Sequence, residues 1–473
     1  DAAGNLIVAN ADGLHRKAKD AGQFEDLLDG SYMSFGLSDS WCRGMTSDMS
    51  DGTNEVYYAL FQNDQGQKLY QYAYNPELSL KPEKELTVYT LYDQATINQA
   101  ATLFGKKHPD TMVSVHVACA DTDDKEAETQ RNRLMTSLAA GDGEDVIVLS
   151  GLDDNALAKK GVLMDLSDIV TPMEENGELL QAIVDGEKAA DGKQQILPVR
   201  FALPLLLSKE KRASEMTNLA ALAKAAEQTD GSLLGTFTGE DLVETFAPYF
   251  MPDIIKDKQL DTEKLRTVLQ ELQTIAAHSD LIEKHKKGER ASNEWDLPSA
   301  MQAALCQISG FNDAMFDLAI INLVKGDYTS FENAYIPTVE IGVNANTKQA
   351  DLAKEFAAFV MSREVQDGDF YDGFPVNKES LHMQVSLDRS NYAAYTTIEG
   401  ADGQEIGLDI EQIKAADADR LEAICDSLSK KTVKDAKVLE ELEKAVPAYL
   451  LGRQSLDDTI SKIQDGVKIY LAE

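Results

Sequence analysis

Short runs of alternating apolar and polar residues make up most of the first 85 residues. Residues 5–10 and 55–61 are two such runs, and the turn-forming sequences around them are rich in Asp, Asn and Gly, which is typical of β-strands joined by tight turns. We predict a hairpin from residues 57–61 and 68–74, with Gly66 supplying the positive φ angle that its turn requires. Pro76 and Pro82 then indicate a linker. The segment is therefore predicted to be a β-rich module.

The pattern changes after the linker, where strand-like and helix-like segments alternate. In order, the pattern predicts a strand, a helix, a strand, a helix and a strand at residues 86–92, 97–104, 112–118, 134–138 and 146–150. The last of these runs is apolar throughout, as in a strand that is buried on both faces. Alternation of this kind predicts a parallel sheet within an α/β fold.

A parallel sheet also predicts where a ligand binds. Ligands of open α/β sheets bind in the crevice beyond the carboxyl ends of the strands. Tyr92 and Asp93 follow the first predicted strand, and Gly151, Asp153 and Asp154 follow the third. We expect these five residues to lie at the crevice, although the three aspartates are equally well placed to cap helices.

An unusual apolar run, residues 196–207, interrupts the mostly helical sequence beyond residue 155. It is too apolar for a surface loop, and its two prolines make it a poor helix, so we predict a buried strand that passes from one domain to another. Arg200 lies inside this run. Because a buried charge needs partners, Arg200 is either ion-paired within the protein or directed at a polar ligand, and both alternatives remain open here.

Two later helices are predicted from their apolar spacing and their capping residues. One covers residues 352–360 and follows the potential cap formed by Asn346 and Thr347. The other covers residues 456–470 and follows Ser455.

Composition limits the classes of function. The chain has 473 residues, of which 43% are hydrophobic, and this length predicts two or three domains. Its formal charge is −36, which disfavours binding to nucleic acid or to anionic membrane surfaces. No apolar run approaches the roughly 18 residues of a membrane-spanning helix. The four cysteines are far apart and contain no CxxC pair, so we expect isolated, buried thiols.

Motifs of catalysis and of cofactor binding are not found in the sequence. The Gly141-Asp-Gly143 sequence precedes its strand instead of following it, which excludes a dinucleotide fingerprint. There is no HExxH motif and no G-x-S-x-G motif, and residues 121–124 lack the glycine and the glutamate of a calcium loop. We therefore predict no catalytic residues, no metal and no cofactor. A glycosidase-like carboxylate pair stays open, because spatial separation decides that chemistry.

Several segments together resemble a known family. They are the strand and helix at 86–104, the strand at 143–149, residues 163–167, the crossing run at 196–208, residues 336–348 with 353–366, the sequence at 373–377, and the closing residues 449–473. In order and spacing these segments, which span about four fifths of the chain, resemble the family-1 extracellular solute-binding proteins of ABC importers, of the maltose-binding type.

The resemblance implies a periplasmic-binding-protein-like type II fold with two α/β lobes, mixed sheets and a hinge. We expect lobe 1 at residues 86–198 with about 311–360, and lobe 2 at 199–310 with about 361–473. Residues 1–85 lie outside the resemblance. They suffice for at most two blades of a β-propeller, so we expect them to belong to a longer β-repeat region.

By position, the resemblance also implies which residues bind the ligand. The expected ligand-binding residues are Tyr92, Asp93, Gly151, Asp153, Asp154, Arg200, Phe201, Trp295, Phe311 and Asn312. For the aromatic residues among these, burial in the core is an open alternative. The set does not reproduce the carboxylates and tryptophans of maltose binders, so maltose itself is not implied.

The function implied by the resemblance is that of a non-enzymatic receptor. It would capture a small solute, a mono- or oligosaccharide first of all, by hinge closure and deliver it to the membrane permease of an ABC importer. The implied location is the cell surface, outside the membrane, with a lipid anchor on an N-terminal segment, and the implied state is a monomer. A carbohydrate-active hydrolase is the first alternative, and an adhesion protein based on the β-module is the second.

Overall fold

The computed structural model describes residues 4–10, 13–30, 33–38, 40–48, 56–63, 66–73, 83–120, 124–256, 258–387, 394–400 and 402–472. Its N-terminal part contains the predicted β-rich module. Two antiparallel three-stranded sheets are formed by β1 (Leu6–Asn10), β2 (Gly13–Lys17) and β3 (Glu25–Asp29), and by β4 (Trp41–Asp48), β5 (Val56–Asn63) and β6 (Gly66–Ala73).

The predicted hairpin is confirmed as β5 and β6. Asn63 lies opposite Gly66 in the register of the two strands, and Gly66 has a φ of +130°. Phe35 packs against the second sheet, because its ring centroid lies 5.1 Å from that of Phe61 on β5 and 5.3 Å from that of Tyr72 on β6, and Leu14 of β2 belongs to the same apolar cluster. The predicted linker prolines, Pro76 and Pro82, lie outside the described residues.

The alternation of strands and helices after the linker is also confirmed. The elements are β7 (Lys84–Thr90), α1 (Ala95–Lys107), β8 (Thr111–Val117), α2 (Asp124–Ala139), β9 (Val146–Val148), α3 (Asp154–Lys159), α4 (Ser167–Glu175), α5 (Gln181–Gly186) and β10 (Leu197–Ser208). β7 pairs in parallel with β8 on one side and with β9 on the other, as the pattern predicts. β10 is the predicted apolar strand, and every residue in it is buried.

The remaining elements are mostly helical. They are α6 (Leu219–Ala226), β11 (Thr236–Phe237), α7 (Gly239–Ile254), β12 (Ile255–Lys256), β13 (Gln259–Leu260), α8 (Thr262–Ala277), β14 (Asp280–Leu281), β15 (Ala303–Ile308), α9 (Phe311–Val324), β16 (Asp327–Ser330), β17 (Ala334–Val343), α10 (Ala350–Val360), α11 (Arg363–Gln366), β18 (Phe374–Pro375), α12 (Lys378–Val385), β19 (Ala394–Glu399), β20 (Glu405–Ile410), α13 (Ala415–Ser427), β21 (Lys430–Lys431), α14 (Ala436–Leu450) and α15 (Leu456–Ala472). None of the described helices combines the length and the apolar composition that a membrane crossing requires.

Both predicted late helices are present as α10 and α15. The Ser455 hydroxyl caps α15 by accepting a hydrogen bond from the Asp458 N–H at 3.1 Å. Thr347 instead binds the Gln349 N–H at 3.0 Å and also contacts the Asp145 carboxylate. It therefore shapes the turn before α10 and does not cap the helix itself.

The chain forms two compact units. Unit 1 consists of residues 1–201 and 338–389, and unit 2 consists of residues 202–337 and 390–473. These boundaries differ from the predicted lobes, because residues 311–337 belong to unit 2 and residues 361–389 belong to unit 1. The physical reason lies in strand pairing, since β18 pairs with Arg200 and Phe201 in the unit 1 part of β10.

Unit 1 is built on a mixed sheet. β8, β7 and β9 run in parallel, and β17 pairs with β9 in the antiparallel direction. The N-terminal module packs on α1, where the Thr102 hydroxyl donates to the Gly36 carbonyl and the Ser38 N–H donates to the Gln99 side chain at 2.9 Å. Leu91, Leu134, Ile147 and others form the core behind the sheet.

Unit 2 has a separate, larger core. α7, α8, α14 and α15 bury apolar faces against one another, and Phe246, Leu269, Leu442 and Ile463 lie at its centre. β15 and β16 pair with the unit 2 part of β10, and β21 pairs with the first residues of β17.

Three of the four cysteines, Cys119, Cys306 and Cys425, are buried free thiols, as predicted. The prediction is wrong for Cys42, which is exposed, because it lies on β4 at the edge of its sheet.

Candidate functional site

The ends of two neighbouring strands bring Tyr92 and Gly151 together in unit 1. β7 and β9 are parallel neighbours, so the segments after them emerge at the same edge of the sheet. A Cβ atom placed on Gly151 would lie 3.5 Å from Cε2 of Tyr92. The Gly151 carbonyl is held by Nε of Arg131 at 2.7 Å. The half-buried Tyr92 ring thus lies against a fixed glycine.

The two exposed aspartates at this edge both make local hydrogen bonds. Asp93 accepts a hydrogen bond from the Asn98 side-chain amide at 2.7 Å, and Asp153 caps α3 by accepting from the Ala156 N–H at 2.8 Å. Helix capping is therefore the observed role of Asp153. Each carboxylate has a second oxygen that can accept a hydrogen bond from a hydroxyl group.

Asp154 belongs to a carboxylate cluster that the sequence analysis missed. Oxygen atoms of Asp154, Glu187 and Glu340 lie within 4.8 Å of one another. Glu187 and Glu340 are 5% and 7% exposed, whereas Asp154 is half-buried. Among the described residues these three are the one set of carboxylate, thiol or imidazole groups close enough to share a metal ion. The same groups can also bind a proton or accept hydrogen bonds from a hydroxyl.

β17 places Glu340 and Thr338 at the same edge as the end of β9. The Leu149 N–H donates to the Glu340 carbonyl, and the Ser150 hydroxyl donates to the Thr338 carbonyl, both at 2.7 Å. One signal in the sequence could have identified Glu340, because it is a lone carboxylate in the apolar run 334–343.

Arg200 is completely buried in unit 1, where its guanidinium donates to protein groups. It donates from Nε to the Thr96 hydroxyl and from a terminal nitrogen to the Val365 carbonyl, both at 3.1 Å, and its guanidinium lies 5.1 Å from the centre of the Phe370 ring. Burial lowers the pKa of Arg200, and the nearby carboxylate of Asp372 opposes that change. The sequence analysis left open whether Arg200 has partners within the protein or is directed at a ligand, and in this structure its partners are protein groups.

Phe201 is buried beside Arg200. Its ring centroid lies 5.8 Å from that of Phe374 on β18, and its side chain has no exposed surface. In this structure it packs in the core, which was the alternative left open for the aromatic residues.

Unit 2 carries the other three predicted residues. Trp295 lies in a short 3₁₀ turn that is capped by the side chain of Asn293, and its ring centroid lies 6.4 Å from that of Phe316. Phe311 is the first residue of α9 and is fully buried, whereas Asn312 is half-buried.

Three acidic residues surround this part of unit 2. Burial raises the pKa of Asp317 well above its ordinary value, and the neighbouring carboxylates of Glu294 and Asp313 raise it further. Burial also raises the pKa of Glu294 and of Asp313, although the Ser309 N–H partly opposes the change at Asp313. The buried Cys306 thiol likewise has a raised pKa. The segment around Trp295 therefore carries several carboxyl groups that resist ionisation.

A cavity of about 320 Å³ lies elsewhere in unit 2. It is lined by α9 residues such as Met315 and Leu318 and by residues 407–417, including Leu408 and Asp417. It contains none of the ten predicted ligand-binding residues, and we therefore assign the candidate site to the sheet edge and not to this cavity.

Comparisons with known proteins agree with this architecture. The profile of one family, the bacterial extracellular solute-binding proteins, matches residues 90–367, which is more than half of the chain. No match is found among curated proteins.

Solved structures with the same fold include a sugar transporter from Rhizobium etli, with a TM-score of 0.53 and 15% identity over 81% of this chain and 99% of that chain. A sugar-binding protein from Xanthomonas citri has a TM-score of 0.56 and 15% identity over 82% of this chain and 97% of that chain. An ABC substrate-binding protein from Listeria monocytogenes, in complex with cycloalternan, has a TM-score of 0.51 and 14% identity over 82% of this chain and 99% of that chain. At such identities the likeness establishes the fold alone.

Proposed function

The chain belongs to the bacterial extracellular solute-binding protein family, and from this premise we propose that it is the solute receptor of an ABC importer for a mono- or oligosaccharide. The observation that carries the proposal is the position of the candidate site. All ten predicted ligand-binding residues lie within the matched range, residues 90–367, and five of them follow the ends of β7 and β9, where ligands of α/β sheets bind.

A carbohydrate suits the chemistry of these residues. Tyr92 and Trp295 can pack against the apolar face of a sugar ring, and the oxygens of Asp93, Asp153 and Asp154 can accept hydrogen bonds from its hydroxyls. The Xanthomonas citri protein with the same fold is described as sugar-binding, which is consistent with this class of solute.

The ten residues have two kinds of role in this proposal. The residues with exposed or half-buried positions contact the solute, and they are Tyr92, Asp93, Gly151, Asp153, Asp154, Trp295 and Asn312. Arg200, Phe201 and Phe311 have no exposed surface, so they act by holding their neighbours in place.

The proposal includes the transport cycle that the family performs. In this cycle a hinge movement encloses the solute, and the loaded monomer passes it to a membrane permease from a lipid-anchored position outside the cell. The charge of −36 fits this location, because it opposes adhesion of the receptor to an anionic membrane surface.

Tryptophan fluorescence can test the proposal, because the chain has only two tryptophans, Trp41 in the β-module and Trp295 in unit 2. In the Trp41→Phe variant, Trp295 is the sole tryptophan reporter. We expect a saccharide from a panel of mono- and oligosaccharides to change its emission saturably, with one site per chain by calorimetry. The matched Trp295→Phe variant, which retains Trp41, should show no change.

Chromatography of the saccharide after incubation tests the hydrolase alternative. The receptor hypothesis predicts that the saccharide is recovered unchanged after hours with the protein. Hydrolysis products would refute it in favour of a carbohydrate-active hydrolase. Absence of any saturable response to the panel, in emission and in melting temperature, would refute carbohydrate binding.

A further inference from the structure

A single buried guanidinium connects the two ends of the loop formed by residues 367–373 in unit 1. Arg200 donates to the Val365 carbonyl just before the loop and lies 3.5 Å from the Gly373 carbonyl at its end. Its flat face lies over the ring of Phe370, within the loop. Because the guanidinium has no exposed surface, water does not compete for these contacts.

Asp372 ties the same loop to the start of α1. Its two carboxylate oxygens accept from the Thr96 N–H at 2.7 Å and from the Thr96 hydroxyl at 2.8 Å, and that hydroxyl in turn accepts from Nε of Arg200. Gln94, the N-cap residue of α1, makes no capping hydrogen bond with its side chain. Asp372 therefore performs the capping role from 276 residues away. We call Arg200, Thr96 and Asp372 the clamp.

The backbone of the loop leaves little freedom at its end. A Cβ atom on Gly373 would lie 2.4 Å from the Thr338 hydroxyl and 2.8 Å from Cβ of Arg200, and the φ angle of Gly373 is +140°. At its start, the Gln384 side chain donates to the Gly368 carbonyl at 2.9 Å. The loop is thus held at both ends and in the middle.

Tyr371 protrudes from this fixed loop. It is 71% exposed, although the residues on either side are held by the clamp, with Phe370 buried under Arg200 and Asp372 bonded to Thr96. β18 follows the loop and pairs with Arg200 and Phe201, the last unit 1 residues of β10. The clamp also binds the first turn of α1, three residues after Asp93, so the loop and the Tyr92–Asp93 segment are joined at one point.

We infer that Tyr371 is a further solute-contacting residue, a platform on which a sugar ring stacks, and that the clamp presets its position. An aromatic ring gives large contact area with few rotatable bonds, and a fixed backbone lowers the entropy that binding must overcome. The inference rests on the proposed function, because it assigns a new residue to the same saccharide site.

The test compares two exposed tyrosines. Tyr470 on α15 is 37% exposed and lies in unit 2, where its hydroxyl donates to the Asp435 carboxylate, so Tyr470→Ala is the control for Tyr371→Ala. For the tightest-binding saccharide of the panel, we expect Tyr371→Ala to raise the Kd at least tenfold with an unchanged melting temperature. Tyr371→Phe, which keeps the ring, should stay within threefold of wild type, and so should Tyr470→Ala.

The clamp is tested by coupling between variants. Asp372→Asn should also raise the Kd. The Kd of the double variant, Asp372→Asn with Tyr371→Ala, should lie within threefold of the Kd of Tyr371→Ala, because both changes remove the same platform. Additive effects would overturn the role of the clamp. An unchanged Kd in Tyr371→Ala would overturn the inference while the proposed function stands, whereas failure of wild type to bind any saccharide would refute both.

Discussion

Replacement of the buried cation by a neutral side chain of similar length, Arg200→Met, tests whether Arg200 is an internal partner. Methionine fills much of the space but cannot donate to Thr96 or to the Val365 carbonyl. It also leaves Asp372 without the cation whose charge it faces. Removal of one partner from a buried charged network costs about 3–5 kcal/mol. For a folding unit of this size, about 2–4 °C is lost per kcal/mol, so we expect the melting temperature of the first transition to fall by about 6–20 °C.

Thermal unfolding followed by circular dichroism, without added saccharide, measures this effect. The control is Arg453→Ala, which removes an exposed arginine paired with Glu283 at 2.7 and 2.8 Å and should leave the melting temperature almost unchanged, because water and salt screen an exposed ion pair. The two roles of Arg200 predict different results, because an arginine reserved for a ligand would stabilise little in the ligand-free protein. A change of less than 2 °C in Arg200→Met would therefore refute the reasoning.

Two further predictions concern stability. Gly373→Ala should destabilise unit 1 by about 2–3 kcal/mol in denaturant unfolding, because the new Cβ has no room. The control is Gly192→Ala, which has a φ of +84° and open space around its Cβ and should cost about 1 kcal/mol. Equal losses of stability in the two variants would contradict the packing argument. Asp317→Asn should raise the melting temperature at pH 7 but not at pH 3. The pKa of Asp317 is raised in the folded protein, so the stability of the wild type falls as pH rises from about 4 through that higher pKa, whereas asparagine does not ionise. The same gain at both pH values, or in the exposed control Asp419→Asn, would argue against a buried carboxyl as its cause.

The part of the site that follows from local pattern was predictable. Apolar runs of strand length alternate with helical spacing, and parallel strands place their carboxyl ends at one edge, so the approach of Tyr92 to Gly151 follows from sequence and the rules of α/β sheets. The same reasoning identified β10 as a buried strand, because a twelve-residue apolar segment with two prolines has few other solutions.

The rest of the site depends on contacts between distant segments, which leave no local signal. Glu187 and Glu340 are separated by 153 positions in the chain and are brought together by the fold, and Glu340 lies on β17, which pairs with β9 near the segment that carries Asp154. Asp372 caps a helix that begins 277 residues earlier in the chain, where the local N-cap residue, Gln94, is a weak one. The unit boundaries differ from the predicted lobes for the same reason, since the two-residue strand β18 assigns its neighbours to unit 1.

The internal contacts of Arg200, together with the charge of the chain, favour a neutral solute over an anionic one. With a net charge of −36, an anionic solute needs a local cation, and Arg200 was the one that the sequence offered. Its donors are instead used on Thr96 and on main-chain carbonyls, while Asp154, Glu187 and Glu340 bring carboxylates to the same sheet edge. A neutral saccharide can donate its hydroxyls to such acceptors, whereas a uronic acid adds a repelling charge. We therefore expect calorimetry to show a weaker affinity for the uronic acid than for the parent sugar, with the difference shrinking at high salt, and equal affinities would place the solute away from this carboxylate cluster.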